Sequence, residues 1–294
     1  MHTRLYFLFI VFGVCDTAAQ PTGHQETNLT THPANDRYAS FSPDGKLIVF
    51  ESDRNGSWDI YVMDPDGKNQ RALIADSADN RRPSWYPDGQ AILFESTRNG
   101  TVNFFRYSFQ TNTIAPAIEA AVPDGTLQFG RISPNGQHLV FTLQINDTVM
   151  HQWLYNFDRK TIQKLTYGNF RYACAGWSPD GKSLLLHARH ETNNQTDAIY
   201  TFRLKNKRWK RLTRNTEHSF CPSWSNDGKR IAYVQSMANN RPEIILMNRR
   251  GRVIRQVTRN TDGDTLPFWS PDDRQLLITG YRSGNFEICK IHLN

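Results

Sequence analysis

Cysteine is scarce in this sequence. Of four cysteines in 294 residues, Cys15 falls in an apolar leader, which leaves Cys174, Cys221 and Cys289. An odd number argues against a disulfide framework, so free, buried thiols are expected. Cys174 and Cys221 share one slot, five residues before a repeated turn; a bridge there is conceivable near the axis, but equivalent positions of neighbouring repeats ordinarily lie too far apart. Beyond the leader no apolar run is long enough to cross a bilayer. No segment carries the length and period of a useful helix, and there is neither a Gly-x-Ser-x-Gly elbow nor a His-Glu-x-x-His pair. A peptidase domain is excluded on those grounds. Acid is the scarcer charge: 35 Lys and Arg stand against 28 Asp and Glu, for a formal charge of +7.

The leader reads as a secretory signal. His2 and Arg4 precede the apolar run Leu5 to Val14, and small residues follow at Thr17-Ala18-Ala19. Cleavage after Ala19 gives a signal peptide over 1–19, a short linker over 20–26 and one folded domain over 27–294. Lipid anchoring through Cys15 is disfavoured, because Val14 is larger than the residue a lipobox prefers. An exported chain of this kind is not expected to meet nucleic acid.

What the sequence has in quantity is one short phrase. It reads Phe41-Ser42-Pro43-Asp44-Gly45, Trp85-Tyr86-Pro87-Asp88-Gly89, Ile132-Ser133-Pro134-Asn135-Gly136, Trp177-Ser178-Pro179-Asp180-Gly181, Trp224-Ser225-Asn226-Asp227-Gly228 and Trp269-Ser270-Pro271-Asp272-Asp273. The third positions advance by 44, 47, 45, 47 and 45 residues. Such a period, with several short strands per unit, signals a β-propeller. In the first unit the predicted strands are Tyr38 to Ser42, Lys46 to Glu51, Asp59 to Met63 and Gln70 to Ile74, separated by turns at Pro43-Asp44-Gly45, Asp53 to Gly56 and Pro65-Asp66-Gly67. One four-stranded antiparallel blade cannot cover both of its apolar faces, so blades stack around an axis. The last unit supplies three strands, Pro267 to Ser270, Arg274 to Gly280 and Phe286 to Leu293. Asn28-Leu29-Thr30 matches the outer-strand phrases Leu165-Thr166, Leu212-Thr213 and Val257-Thr258. The expected fold is therefore all-β: a single six-bladed propeller whose ring is closed by an N-terminal outer strand near Thr27 to Thr31 in blade six.

The repeat resembles that of a known family. Leu-Thr, Pro-Ser-Trp-x-Pro-Asp-Gly, Phe-x-Ser-x-Arg-x-Gly and Asp-Ile-Tyr-Val-Met are similar to the WD-like repeat of the TolB propeller. Blade one carries Ser52-x-Arg54-x-Gly56 and Asp59 to Met63; blade two keeps Pro83-Ser84-Trp85 and Ser96-x-Arg98-x-Gly100 but has Asn103-Phe104-Phe105 for the tyrosine phrase. The resemblance is to the propeller part, over about residues 27 to 294, and the α/β domain that precedes the propeller in TolB is expected to be absent. It implies a periplasmic or secreted bacterial protein, a monomer acting as a binding scaffold for an envelope protein or an anionic glycan. Related repeats also occur in oligogalacturonate lyases, which implies an alternative: a carbohydrate-active enzyme with a metal or histidine site at the channel mouth.

Candidate site residues follow from position in the repeat. The turns between second and third strands share a face with the connectors between blades, so Arg54, Arg82, Arg98, Tyr172, His218, Asp264 and Arg282 are the candidate ligand-binding set. Each arginine also has a plainer role, an ion pair within its own turn. The aspartates Asp44, Asp88, Asp180 and Asp227 belong to hairpin turns, where a structural role is expected. Trp85, Trp177, Trp224 and Trp269 are expected to pack between blades as core. His187 and His190 lie three apart in a strand and so face opposite sides; with His218 they form the one histidine group weighed for a metal, and no metal or cofactor is expected. A basic flank runs through Lys207, Arg208 and Lys210 and again through Arg249, Arg250 and Arg252, on turns and outer strands of neighbouring blades. Lysine and arginine there block edge-to-edge pairing, and seven cations within residues 203–214 also suit an anionic partner.

Overall fold

The computed structural model describes residues 25–189, 196–214, 217–237 and 241–293. The expected signal peptide with Cys15, most of the linker, His190 and most of the two loops near residues 191–197 and 238–242 lie outside the described residues. The described chain is a succession of short strands. First come β1 (Glu26–Asn28), β2 (Asp36–Phe41), β3 (Ile48–Ser52), β4 (Asp59–Met63) and β5 (Arg71–Ile74). Next are β6 (Asn80–Trp85), β7 (Ala91–Ser96), β8 (Asn103–Ser108) and β9 (Thr113–Pro116), then β10 (Thr126–Ile132), β11 (His138–Gln144), β12 (Met150–Asn156) and β13 (Thr161–Lys164). They continue with β14 (Arg171–Trp177), β15 (Ser183–Arg189), β16 (Ala198–Arg203) and β17 (Arg208–Arg211), then β18 (Ser219–Trp224), β19 (Arg230–Ser236), β20 (Pro242–Asn248) and β21 (Val253–Gln256). The last are β22 (Asp264–Trp269), β23 (Gln275–Arg282) and β24 (Asn285–His292). Among the described residues there is no helix, and so none long and apolar enough to cross a membrane.

The strands pair antiparallel with their chain neighbours into four-stranded sheets, β2 to β5, β6 to β9 and β18 to β21 among them. β10 to β17 form one eight-stranded sheet, in which two such units touch through a single parallel pair, Met150 with Arg171. In the remaining sheet β1 lies beside β24, with Glu26 opposite Ile291 and Asn28 opposite Cys289. Burial explains the alternation. β3 and β4 are buried at every residue, while the outer strand β5 is exposed at Arg71 and Ala72. Because side chains alternate along a strand, Val49, Ile60 and Val62 pack toward Ile92 and Phe94 of the next unit. Ile48, Phe50, Tyr61 and Met63 pack the other way, against Leu29, Leu277 and Ile288.

Two local devices repeat. In the turn, Ser42 Oγ donates to Asp44 Oδ1 at 2.7 Å, and that carboxylate accepts the Lys46 N–H at 3.1 Å, with Gly45 at φ +72°. Ser178 with Asp180, Ser225 with Asp227 and Ser270 with Asp272 repeat the bond at 2.6 to 2.7 Å. The serine hydroxyl, followed by the backbone donor and neighbouring cation, holds each of these carboxyls below its ordinary value. The aspartates are thus occupied by their own turns. At the outer edge, Thr166, Thr213 and Thr258 each accept the N–H of Gln152, Ile199 and Ile244 at 2.9 Å. Thr30 accepts the Ile288 N–H at the same 2.9 Å, and Leu29 N donates to Ile288 O at 2.8 Å. The Leu-Thr phrase therefore makes one bond wherever it occurs, including at the N-terminal end of the described chain.

Candidate functional site

Every first strand of a unit breaks its ladder at the same place. The register shifts in β2, β6, β10, β14, β18 and β22, and at each shift a residue takes the left-handed conformation: Tyr38, Arg82, Phe129, Cys174, Cys221 and Leu266, with φ between +45° and +55°. These are β-bulges, which turn one side chain per strand away from the pleat. A bulge frees a backbone N–H, and at three of the six the second strand of the preceding unit supplies an acceptor for it. Glu51 Oε2 accepts the Arg82 N–H at 2.7 Å, Glu95 Oε1 the Phe129 N–H at 2.7 Å, and His187 Nδ1 the Cys221 N–H at 3.3 Å.

Arg82 and Glu95 form an ion pair at this level, each side chain 4% exposed. The guanidinium also lies over the rings of Phe129 and Tyr38, at 4.5 and 5.4 Å. Burial opposes the charge on Arg82, but Glu95, Tyr38 and Glu51 outweigh it and raise its pKa. Burial lifts the Glu95 carboxyl above its ordinary value, against the pull of Arg82 and of the Phe129 N–H.

Above the bulges, toward the Pro-Asp-Gly turns, opens a cavity of ≈ 410 Å³. Its walls are aromatic and prolyl: Trp85, Tyr86, Trp177, Trp224 and Phe268, with Pro43, Pro87, Pro134 and Pro179 at the rim. Arg131, Cys174 and Cys221 also line it, and no carboxylate or histidine stands among the described lining residues. Arg131 donates to its neighbour Gly130 O at 2.8 Å and sits over the Phe268 ring at 5.3 Å. No acidic group pairs with it among the described residues, and burial lowers its pKa. The tryptophans serve two purposes, where packing alone was expected. Trp85, Trp177 and Trp269 each donate the indole N–H to a carbonyl of the preceding unit, at Ser40, Arg131 and Ser223, at 2.9 to 3.2 Å. Trp85 and Trp177 also line the cavity.

The residues singled out from the sequence fall in several places. Arg54 donates to Asp36 at 2.9 Å and to Ser52 and Gln70; Arg98 pairs with Asp76 at 3.1 Å and donates to Ser96. Arg282 reaches Glu26 at 2.6 Å and the fully buried Asp264 at 2.7 Å. All three hold their own connectors in place. Arg82 is 5% exposed in the bulge layer, and Tyr172 is 2% exposed in the core against Trp209. His218 is the open one, with Nδ1 3.3 Å from Asp197 Oδ2. His187 is buried on the Cys221 backbone, and among the described residues no group of three or more His, Cys, Asp or Glu is placed to hold a metal ion. Lys207, Arg208, Lys210, Arg249, Arg250 and Arg252 are all exposed. The two runs adjoin, for a Cβ on Gly251 would stand 2.5 Å from Leu212 O.

Sequence reasoning missed Arg131 and the cavity itself. Only the shared slot of Cys174 and Cys221 pointed toward it, and there the geometry differs from expectation. The two sulfurs are 3.9 Å apart, because each bulge turns its thiol inward rather than along its own sheet.

Residues 177–294 match the family model of the TolB beta propeller domain, so the repeat is TolB-like as its sequence suggested. No curated protein matches the chain. Among solved structures, TolB from Acinetobacter baumannii superposes with a TM-score of 0.64 at 17% identity, over 88% of this chain and 63% of that one. The chain thus spans less than two thirds of that protein. An oligogalacturonate lyase from Vibrio parahaemolyticus gives 0.64 at 14% identity, over 92% of this chain and 93% of that one. A gluconolactonase from Xanthomonas campestris gives 0.71 at 10% identity, over 93% and 91%. At such identities the likeness is one of fold.

Proposed function

We propose that this chain is an exported, monomeric six-bladed TolB-like propeller, its ring closed by β1 beside β24, and that it serves in the bacterial cell envelope as a non-enzymatic scaffold binding a protein or an anionic glycan. The observation that carries this reading is the cavity: aromatic and prolyl walls around one arginine with no acidic partner among the described residues form a surface for apolar and sugar rings with a single cationic anchor for an anionic group. Hydrolytic or lyase chemistry draws most often on a positioned histidine or carboxylate, and neither stands among the described lining residues. The bonded arginines Arg54, Arg98 and Arg282 frame the opposite face, and the basic flank offers a further contact for an anionic partner.

The fold likeness to an oligogalacturonate lyase supports a second reading, a carbohydrate-active enzyme. One experiment separates the two. The tagged chain is used for capture from envelope extract and for tryptophan-fluorescence titration with muropeptides and oligogalacturonates, beside Gly176→Trp and Arg131→Gln. Gly176 lines the cavity, and a Cβ there meets nothing nearer than 4.0 Å, so the substitution begins without a clash at the backbone. A defined ligand lost in both variants supports the scaffold. Binding that survives both variants overturns the cavity as its site, and release of unsaturated sugar product establishes the enzyme.

A further inference from the structure

We infer that Cys174 and Cys221 are a redox-active thiol pair in the cavity wall, oxidised by thiol–disulfide exchange to a bridge between β14 and β18. The two residues are 47 apart in sequence, yet their sulfurs stand 3.9 Å from one another. A disulfide needs S–S ~2.05 Å, so the gap to close is on the order of 2 Å. Both belong to bulges in the first strands of adjacent units, which orients both thiols toward the same space. Both are half-buried and line the cavity, within reach of a small molecule that enters it. Cys289 is the internal contrast: fully buried, it donates to Asn28 Oδ1 at 3.2 Å beneath the closing strand.

The surroundings distinguish the two thiols. The contact with Cys221, followed by His187 and Arg131, favours the thiolate of Cys174, while the same contact and burial disfavour that of Cys221. Cys174 is therefore the attacking sulfur and Cys221 the resolving one. The Cys174 thiolate attacks one sulfur of an external disulfide R–S–S–R, forming Cys174–S–S–R and expelling R–S⁻. Cys221 then gives up its proton, and its sulfur attacks that of Cys174, expelling the second R–S⁻. The two protons lost by the cysteines end on the two R–S⁻ groups. The protein loses two electrons and two protons to the external disulfide, which leaves as two thiols.

The full chain is equilibrated in glutathione buffers from reducing to oxidising, quenched with acid, unfolded, alkylated and mapped by mass spectrometry. The expected result is a cross-linked peptide pair joining Cys174 to Cys221, two fewer alkylated thiols, and Cys289 alkylated throughout. Cys221→Ser is expected to accumulate a mixed disulfide at Cys174, formed about tenfold faster than one at Cys221 in Cys174→Ser. A bridge to Cys289 or Cys15, an intermolecular bridge, or no bridge in the oxidising buffer overturns the inference. The wild-type map decides this alone should either variant fail to fold.

Discussion

The slot that meets the outer-strand threonine carries a different ionisable group in different units, and two of these groups are shifted in opposite directions, with opposite effects on stability over one pH range. Glu243 accepts a hydrogen bond from Thr258 at 2.5 Å, and His151 lies 3.4 Å from Thr166. Glu243 is 4% exposed, and burial raises its pKa from 4.5 to about 7. His151 is 3% exposed, and burial, with Lys164 nearby, lowers its pKa from 6.5 to about 4. The folded carboxyl of Glu243 holds its proton more tightly than the unfolded one. Its contribution to stability is full below pH 4.5 and is lost as pH rises through 7. The folded imidazole of His151 holds its proton less tightly, so its contribution is full above pH 6.5 and is lost as pH falls through 4. Each displacement spans about 2.5 pH units, worth about 3 kcal/mol at 1.36 kcal/mol per unit. In the wild type the two slopes nearly cancel between pH 4 and 7; in single variants they do not. Guanidinium-chloride unfolding at pH 4, 5, 6 and 7 gives ΔΔG for Glu243→Gln and His151→Gln against the wild type, which removes every other titrating group from the comparison. ΔΔG for Glu243→Gln should become less destabilising by about 3 kcal/mol as pH rises, and that for His151→Gln more destabilising by about as much. A ΔΔG independent of pH for either variant refutes the assignment of that group.

Further outcomes follow from single contacts. Glu95→Gln removes the carboxylate that pairs with the buried Arg82 guanidinium, so it should cost about 3–5 kcal/mol in denaturant unfolding, and Arg82→Met with Glu95→Met together should cost less than the two singly. Trp177→Phe removes the indole bond to Arg131 O at 2.9 Å, whereas the buried Nε1 of Trp224 has no partner among the described residues. Thermal unfolding should therefore show Trp177→Phe costing about 1 kcal/mol more than Trp224→Phe. Gly56 and Gly67 share left-handed backbone at φ +89° and +85°, but only at Gly67 would a Cβ meet Leu29 O, at 2.6 Å. Gly67→Ala should lose about 1 kcal/mol beyond the loss in Gly56→Ala. Equal losses would mean that Leu29 does not seat against that turn.

What could be read from the sequence was whatever chemistry stays within a few residues of chain. The Ser-x-Asp turn identifies itself because Ser42, Asp44 and Lys46 bond one another. The Leu-Thr phrase does so because its hydroxyl has one task in every unit. Predicted strands in the first unit fall within two residues of β2 to β5, and the predicted N-terminal outer segment overlaps β1. Arg54, Arg98 and Arg282 could be placed in their turns by the same logic. The bulge layer could not. Residues with positive φ are usually glycine, asparagine or aspartate, and here they are tyrosine, arginine, phenylalanine, two cysteines and leucine. A register shift in β6 turns Arg82 inward from the connector where its sequence position had put it. The composition of the slot gives no warning, because the conformation is imposed by the pairing of neighbouring strands.

That imposition separates the fold from the contents of its cavity. At Arg82, Phe129 and Cys221 the freed N–H of the bulge finds its acceptor in the unit before it. Glu51 and Glu95 answer with carboxylates, and beside them stand a tyrosine, an arginine and a phenylalanine. At the fourth unit the acceptor is His187, and the bulges beside it carry the two thiols. A carboxylate in that slot would put negative charge next to Cys174 and hold its thiol protonated. The imidazole satisfies the same N–H without that repulsion. The histidine is therefore the substitution that makes a thiol pair chemically useful there, and it leaves the hydrogen bond that the fold requires in place.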